Sequence, residues 1–230
     1  MKILTMLRYI YLISILLFVF LTVSAQNKEE WTPAQGFTLG ANLATPINSF
    51  FNNERKGFSL LSRVTFKENL YIFGEAGFEN ISFEREKYDY NANGSFFKVG
   101  MEWDLLKMKK KEFGKNDNLL TGIYYGYAFQ EQGAPKYLIP NGYWNDYSGK
   151  FGNYFVQSHW FEVSLGPRAE IFTNFFLSWS LHIKFTVFRK NPNIIDPYII
   201  PGYGNGNNNV NASFSYNIEY LIPWKKATYK

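Results

Sequence analysis

The chain has no cysteine. This excludes disulfides, thiolate metal sites and acylation at a lipobox, so an exported form must be held together by other means. Histidine is nearly missing as well: His159 and His182 are the only two. A transition-metal site would have to be assembled from distant positions, and no metal or other cofactor is expected. After Ala25 no run is long and apolar enough for a membrane helix. A large excess of charge of either sign is also lacking. The formal charge is +5, or +3 once Lys2 and Arg8 are set aside with a leader. That is too mild to point to nucleic acid or a polyanionic substrate.

The leader is the first feature that is present. Lys2 and Arg8 precede an uncharged run over 9–23, and Val23-Ser24-Ala25 before Gln26 fits the small-residue cleavage rule. Residues 1–25 are therefore expected to be a signal peptide, with one domain over 26–230. The run is at the short end of the roughly 17 to 25 residues that a spanning helix needs, which favours a cleaved leader over an anchor.

Aromatic residues are abundant: 23 Phe, 17 Tyr and 6 Trp make up 20% of the chain. Many fall in strict alternation. Phe97, Val99, Met101, Trp103 and Leu105 interleave with Lys98, Gly100, Glu102 and Asp104. Leu177, Trp179, Leu181, Ile183, Phe185 and Val187 interleave with Ser178, Ser180, His182, Lys184 and Thr186. Side chains on a strand point alternately to opposite faces, so each such segment has one oily face and one hydrophilic face. If the chain spans a membrane, only a closed barrel remains, because an open sheet edge in hydrocarbon leaves backbone groups unpaired.

Eight strands are expected, over 37–44, 58–66, 70–83, 95–106, 119–130, 159–172, 175–188 and 210–222. The fold class is thus all-β, a single antiparallel up-and-down transmembrane barrel. Residues 67–69 and 173–174 read as tight turns, whereas 45–57, 84–94, 131–158 and 189–209 read as long loops. Short turns on one side and long loops on the other are usual for outer-membrane barrels. The lysine-rich segment 107–117 reads as a solvated basic turn near lipid headgroups, or else as a docking site. Pro167 removes a ladder bond, so a bulge or local break is expected at Gly166-Pro167.

Volume decides which face is inside. The interior of an eight-stranded barrel holds only a modest set of side chains, far fewer than the oily faces carry. The polar faces must therefore line the lumen, where Gly100, Gly122, Gly126, Ala128 and Gly166 leave room for long ionic residues. Arg63, Lys98, Arg168 and Lys184 are expected to pair there with Glu75, Glu102, Glu162, Glu170 and Glu219, because buried charges need partners. His182 joins this network on the same face. Trp103, Trp179, Tyr125, Tyr127, Tyr216, Tyr220 and Trp224 read either as interfacial girdles or as apolar filler.

Catalytic constellations are poorly supplied. Ser158 and His159 are adjacent on a strand and so point to opposite faces. Gly202, Gly204 and Gly206 have no helix after them and do not form a nucleotide loop. The long loops are more suggestive. Tyr143, Trp144 and Tyr147 lie among Gly, Asn and Asp, a composition typical of recognition surfaces. Ile194, Ile195, Ile199 and Ile200 form either a lid over the barrel mouth or a patch that binds a partner, and Ile195, Tyr198, Ile200 and Tyr203 are the partner-binding candidates of that loop.

The segments around His159-Trp160-Phe161-Glu162-Val163, Phe175-Phe176-Leu177-Ser178-Trp179-Ser180, Tyr198-Ile199-Ile200-Pro201-Gly202-Tyr203 and Tyr216-Asn217-Ile218-Glu219-Tyr220-Leu221-Ile222-Pro223 resemble a domain-of-unknown-function family of small outer-membrane proteins from Bacteroidota. The resemblance implies a barrel in the outer membrane of a Gram-negative bacterium, with no established activity or catalytic residues. The expectation is a non-enzymatic accessory or interaction protein whose partners are outer-membrane lipid and other envelope proteins. A small-solute channel and a lipid-modifying enzyme stand as alternatives.

Overall fold

A computed structural model describes residues 31–32, 34–51, 54–67, 69–106, 116–139, 146–190, 196–226 and 228–229. Eight strands close into one antiparallel barrel: β1 (Gln35–Asn42), β2 (Arg55–Lys67), β3 (Leu70–Glu84), β4 (Tyr88–Asp104), β5 (Asn118–Ile139), β6 (Tyr147–Phe172), β7 (Phe175–Lys190) and β8 (Val210–Lys225). Each strand pairs with its neighbours in sequence, and β8 closes the ring on β1 through Ile218↔Ala41 and Leu221↔Thr38. Closure leaves the barrel wall without an edge. Among the described residues no helix is long and apolar enough to cross a membrane. The expected signal peptide and most of the basic 107–117 segment lie outside the described residues.

The two ends differ. At the lower end, β2 and β3 join around Asn69, and β6 and β7 through Thr173-Asn174, where Asn174 takes a positive φ of 64°. At the upper end, a short helix α1 (Ala44–Phe51) follows β1, and β3, β4, β5 and β6 rise as a sheet beyond the shorter strands. Asn42 Oδ1 accepts the Ala44 amide at 2.9 Å, which starts the helix, and Pro46 suits its first turn.

Side-chain placement follows the alternation. Leu39, Leu60, Ile72, Phe97, Val99, Met101, Ile123, Phe161, Val163, Leu165, Trp179, Leu181, Ile183 and Phe185 are exposed around the outside, while Arg63, Glu75, Lys98, Glu102, Glu162 and Arg168 are buried inside. Higher up, the same strands reverse. Ile81, Phe83, Tyr90 and Ala92 pack inward as a buried cluster, and Asn80, Ser82, Asn91 and Asn93 face out. On β3 and β4 the wall is thus oily outside over its lower part and polar outside above it. Apolar surroundings would favour the first arrangement and water favours the second.

This reversal explains where the expected strand ends fall short. β4 starts at Tyr88 rather than 95, β5 runs to Ile139 rather than 130, and β6 starts at Tyr147 rather than 159. The expected loops 84–94 and 131–158 are therefore mostly hairpin. Ala44, expected at the end of the first strand, opens α1 instead. At Pro167 the β6–β7 ladder skips Gly166 and Pro167, but the register on either side is unchanged, so this is a break and not a bulge. The bulges lie at His159/Trp160 and Glu170/Phe172.

Trp103 faces out opposite Leu70, and Tyr220 opposite Phe175, each beside the start of a strand at the lower end. Trp224 lies at the end of β8, and Phe172 ends β6. Tyr125 and Tyr127 are on the upper part of the oily belt, and Tyr216 pairs with Trp179 within it.

Candidate functional site

The lumen is filled by side chains in stacked layers. In the lowest, Arg168 donates through Nε to Glu219 at 2.7 Å and through Nη1 to Asn118 Oδ1 at 3.0 Å. Its guanidinium lies 3.5 Å over the Phe176 ring, so one face of the cation meets an aromatic π-system instead of water. Asn118 in turn donates to Asp104 at 2.7 Å.

The middle layer shares a carboxylate with the lowest. Glu219 lies 2.6 Å from Arg63 Nη1 and accepts from Ser178 at 2.6 Å. Arg63 also pairs with Glu102, which accepts the Tyr124 hydroxyl at 2.7 Å. Arg63 Nη1 is off the line that a hydrogen bond to Glu219 requires, so charge rather than alignment holds that contact. Every ion here is within reach of an opposite charge, as a buried charge needs.

In the upper layer Lys98 Nζ lies between Glu75 at 2.6 Å and Glu162 at 3.2 Å. Ser59 donates to Glu75 at 2.6 Å, and the Trp160 indole to Glu162 at 3.1 Å. His182 places Nδ1 2.6 Å from Glu162, while its Nε2 is 2.9 Å from both Ser180 and Ser215. The two serine hydroxyls also lie 2.8 Å apart. This is a Ser–His–Glu contact, but Nε2 is divided between two serines that also bind each other. Glu162 is already committed to Lys98 and Trp160, and Nδ1 is off line to it. The two serine hydroxyls and Nε2 bind one another, whereas a triad keeps one nucleophile aligned with its base.

Space for Trp160 comes from Gly126. A Cβ there would lie 2.1 Å from the indole ring, so glycine alone admits the close approach. Above the upper layer is a polar chamber of about 240 Å³, lined by Glu75, Glu79, Lys98, His182, Lys184 and Ser215 among others. Residues 198–206 form its roof. Ile200 and Tyr203 enter the barrel mouth and pack on Phe96, Ala128 and Trp160. Gly202, at φ +70°, donates to Glu79 at 3.2 Å and accepts Lys184 Nζ at 2.7 Å. Arg55 pairs with Glu79 at 2.7 Å. Among the described residues no three of His, Asp and Glu come together in a way that could hold a metal ion.

Nine of the ten expected lumen residues occupy the lumen: Arg63, Glu75, Lys98, Glu102, Glu162, Arg168, His182, Lys184 and Glu219. Glu170 is a correction. It is half-buried at the lower end and accepts from Asn116 and from the Asn174 amide, each at 2.8 Å, so it fastens a connection and a turn. Lys184 is also placed differently, against the Gly202 carbonyl of the roof. Of the expected partner-binding residues, Ile200 and Tyr203 are not on the surface: they belong to the roof, which is the lid arrangement offered for this loop and not the partner patch. Both are only 1% exposed, since an isoleucine over a barrel mouth gains more from packing inside than from facing water. Tyr198 remains exposed with its ring edge-on to Phe83, and Tyr147 is 62% exposed. Tyr143, Trp144 and Ile195 lie outside the described residues.

Arg55, Glu79, Tyr124, Trp160 and Asn118 belong to the site and were not foreseen. Glu79 shares the face of Glu75, and Tyr124 that of Gly122 and Gly126, so strand alternation could have found both. Arg55 was hidden in a segment read as loop.

A family model described as a domain of unknown function, DUF6048, matches residues 6–227. Among solved structures, two crystal structures of Ail, the attachment invasion locus protein of Yersinia pestis, are similar to this chain. One of them is in complex with the heparin analogue sucrose octasulfate. Both match at 10% identity over 85% of this chain and 99% of theirs, with TM-scores of 0.37 and 0.35. A comparison with the curated proteins finds no match.

Proposed function

The chain belongs to the DUF6048 family of domains of unknown function, and from that premise we propose that it is a non-enzymatic outer-membrane barrel serving as an accessory or interaction protein. Membrane residence is supported by the reversal of side-chain polarity part-way up β3 and β4. A lumen closed by three ionic layers and a packed roof supports a role other than solute passage.

The observation that carries the interaction reading is the sheet that rises above the oily belt. There Tyr88, Ile139, Tyr147 and Phe155 are large, apolar and exposed, and Phe155 stacks on Phe129 with ring centroids 5.2 Å apart. Water should drive such residues inward, so an exposed set rimmed by polar side chains suits a partner.

The test is photo-crosslinking in living cells, with a photoreactive phenylalanine at Tyr147 or Phe155 and a control at Phe97 in the belt. Discrete protein adducts are expected from the two upper positions and not from Phe97. A barrel that forms no adduct from either upper position would overturn the proposal.

A further inference from the structure

One polar group on the outer wall takes no part in the lumen or the rising sheet. His159 faces out from β6 and is half-buried in a cradle of aromatic rings. The Tyr125 hydroxyl is 2.6 Å from its Nδ1, the Tyr127 ring is 4.8 Å away between centroids and the Phe188 ring 6.0 Å away. With the phenol donating to Nδ1, the ring proton is on Nε2, the remaining donor of the imidazole.

Position adds to this. Below His159 on the same outer face of β6 come Phe161, Val163 and Leu165, all exposed and apolar, while above it come Gln157 and the exposed Phe155. On β4 the unbroken run of exposed apolar residues ends at Phe97, with Asn93 and Asn91 above on that face. His159 thus marks the top of the oily belt, where acyl chains give way to headgroups. An ionisable side chain at the edge of hydrocarbon is costly and calls for a partner.

A cationic donor stands beside it. Lys190 pairs with Gln157 and Phe188 with His159, so Lys190 and His159 are diagonal neighbours on the outer face, roughly 7–8 Å apart at the backbone. A phosphate can bridge donors at that spacing. By register, the first outward carboxylate above Tyr127 on β5 is Glu131, two positions beyond Phe129.

We infer that His159 and Lys190, framed by Tyr125, Tyr127 and Phe188, bind the phosphate headgroup of an outer-leaflet glycolipid whose acyl chains lie along the belt below. The inference rests on the membrane reading above and goes beyond it by naming the lipid chemistry and the site.

Native mass spectrometry of the full protein released from mixed micelles tests it. The probes are lipid A carrying both phosphates and the same lipid after phosphatase treatment. Wild type should retain the phosphorylated form, and the double variant H159F/K190Q should retain roughly tenfold less, as expected for loss of charge-assisted hydrogen bonds. Both changes are on the outer wall, and a heat-modifiable gel band confirms that the variant barrel is folded. Equal retention by wild type and variant, or of the two lipid forms by wild type, would overturn the site. Inorganic phosphate at matching concentration should displace less than about a tenth of the lipid. Complete displacement would show a free-phosphate site and overturn the lipid assignment. A protein that stayed dissolved without detergent would instead remove the membrane reading beneath, a failure distinct from loss of phosphate selectivity.

Discussion

Glu219 is the carboxylate on which Arg63 and Arg168 converge, and through it the lowest and middle lumen layers become one network. Glu219→Gln keeps the shape and removes the charge, leaving two buried guanidiniums to share the remaining acceptors. Removing one partner of a buried pair costs about 3 to 5 kcal/mol, because the other charge stays desolvated and unpaired. Urea unfolding of the refolded barrel should show that loss, whereas a change within about 0.5 kcal/mol, as at an ordinary surface position, would mean that water enters the lumen and does the pairing. At this scale the sequence was informative where alternation was unbroken. Arg63, Lys98, Glu102 and Glu162 could be assigned to the lumen by strand parity alone. It was uninformative where a side chain's partner is set by the roof, as for Lys184, or by a turn, as for Glu170.

At the scale of elements, the β5–β6 hairpin continues well past the belt, and its paired residues include Gln132↔Tyr154. Closing the strands there with Asn-Gly, a sequence suited to a two-residue turn, removes the exposed tip and leaves the wall intact. The shortened protein should still give a compact, heat-modifiable barrel, with a denaturation midpoint close to that of the full chain, while the crosslink from Phe155, which the shortening retains, is lost. Failure to form a barrel would show that the tip is needed for folding and not only for contact. The hairpin was hard to read from sequence for a definite reason. Above the belt Tyr90 and Ala92 turn inward and Asn91 and Asn93 outward, so the oily face changes sides and the alternation seen at 97–105 is lost as a guide. Helix α1 and the roof were likewise opaque, because each is short and is held by partners distant in sequence. Leu43 donates to the Tyr216 carbonyl at 2.7 Å and Gly202 to Glu79, and no local pattern announces either bond.

For the whole molecule, eight strands enclose a space that ionic side chains can fill, and that filling leaves the bulky apolar residues on the outside. Outward Trp179 and inward Trp160 are the two poles of this arrangement. The most direct measurement uses two single-tryptophan variants, one keeping only Trp179 and the other only Trp160, each refolded into bilayers whose acyl chains carry bromine. Bromine quenches an indole that it touches. The Trp179 variant should lose most of its fluorescence relative to unbrominated lipid, and the Trp160 variant should lose almost none. Quenching of Trp160 with Trp179 protected, or equal quenching of the two, would contradict a barrel that is oily outside and ionic within.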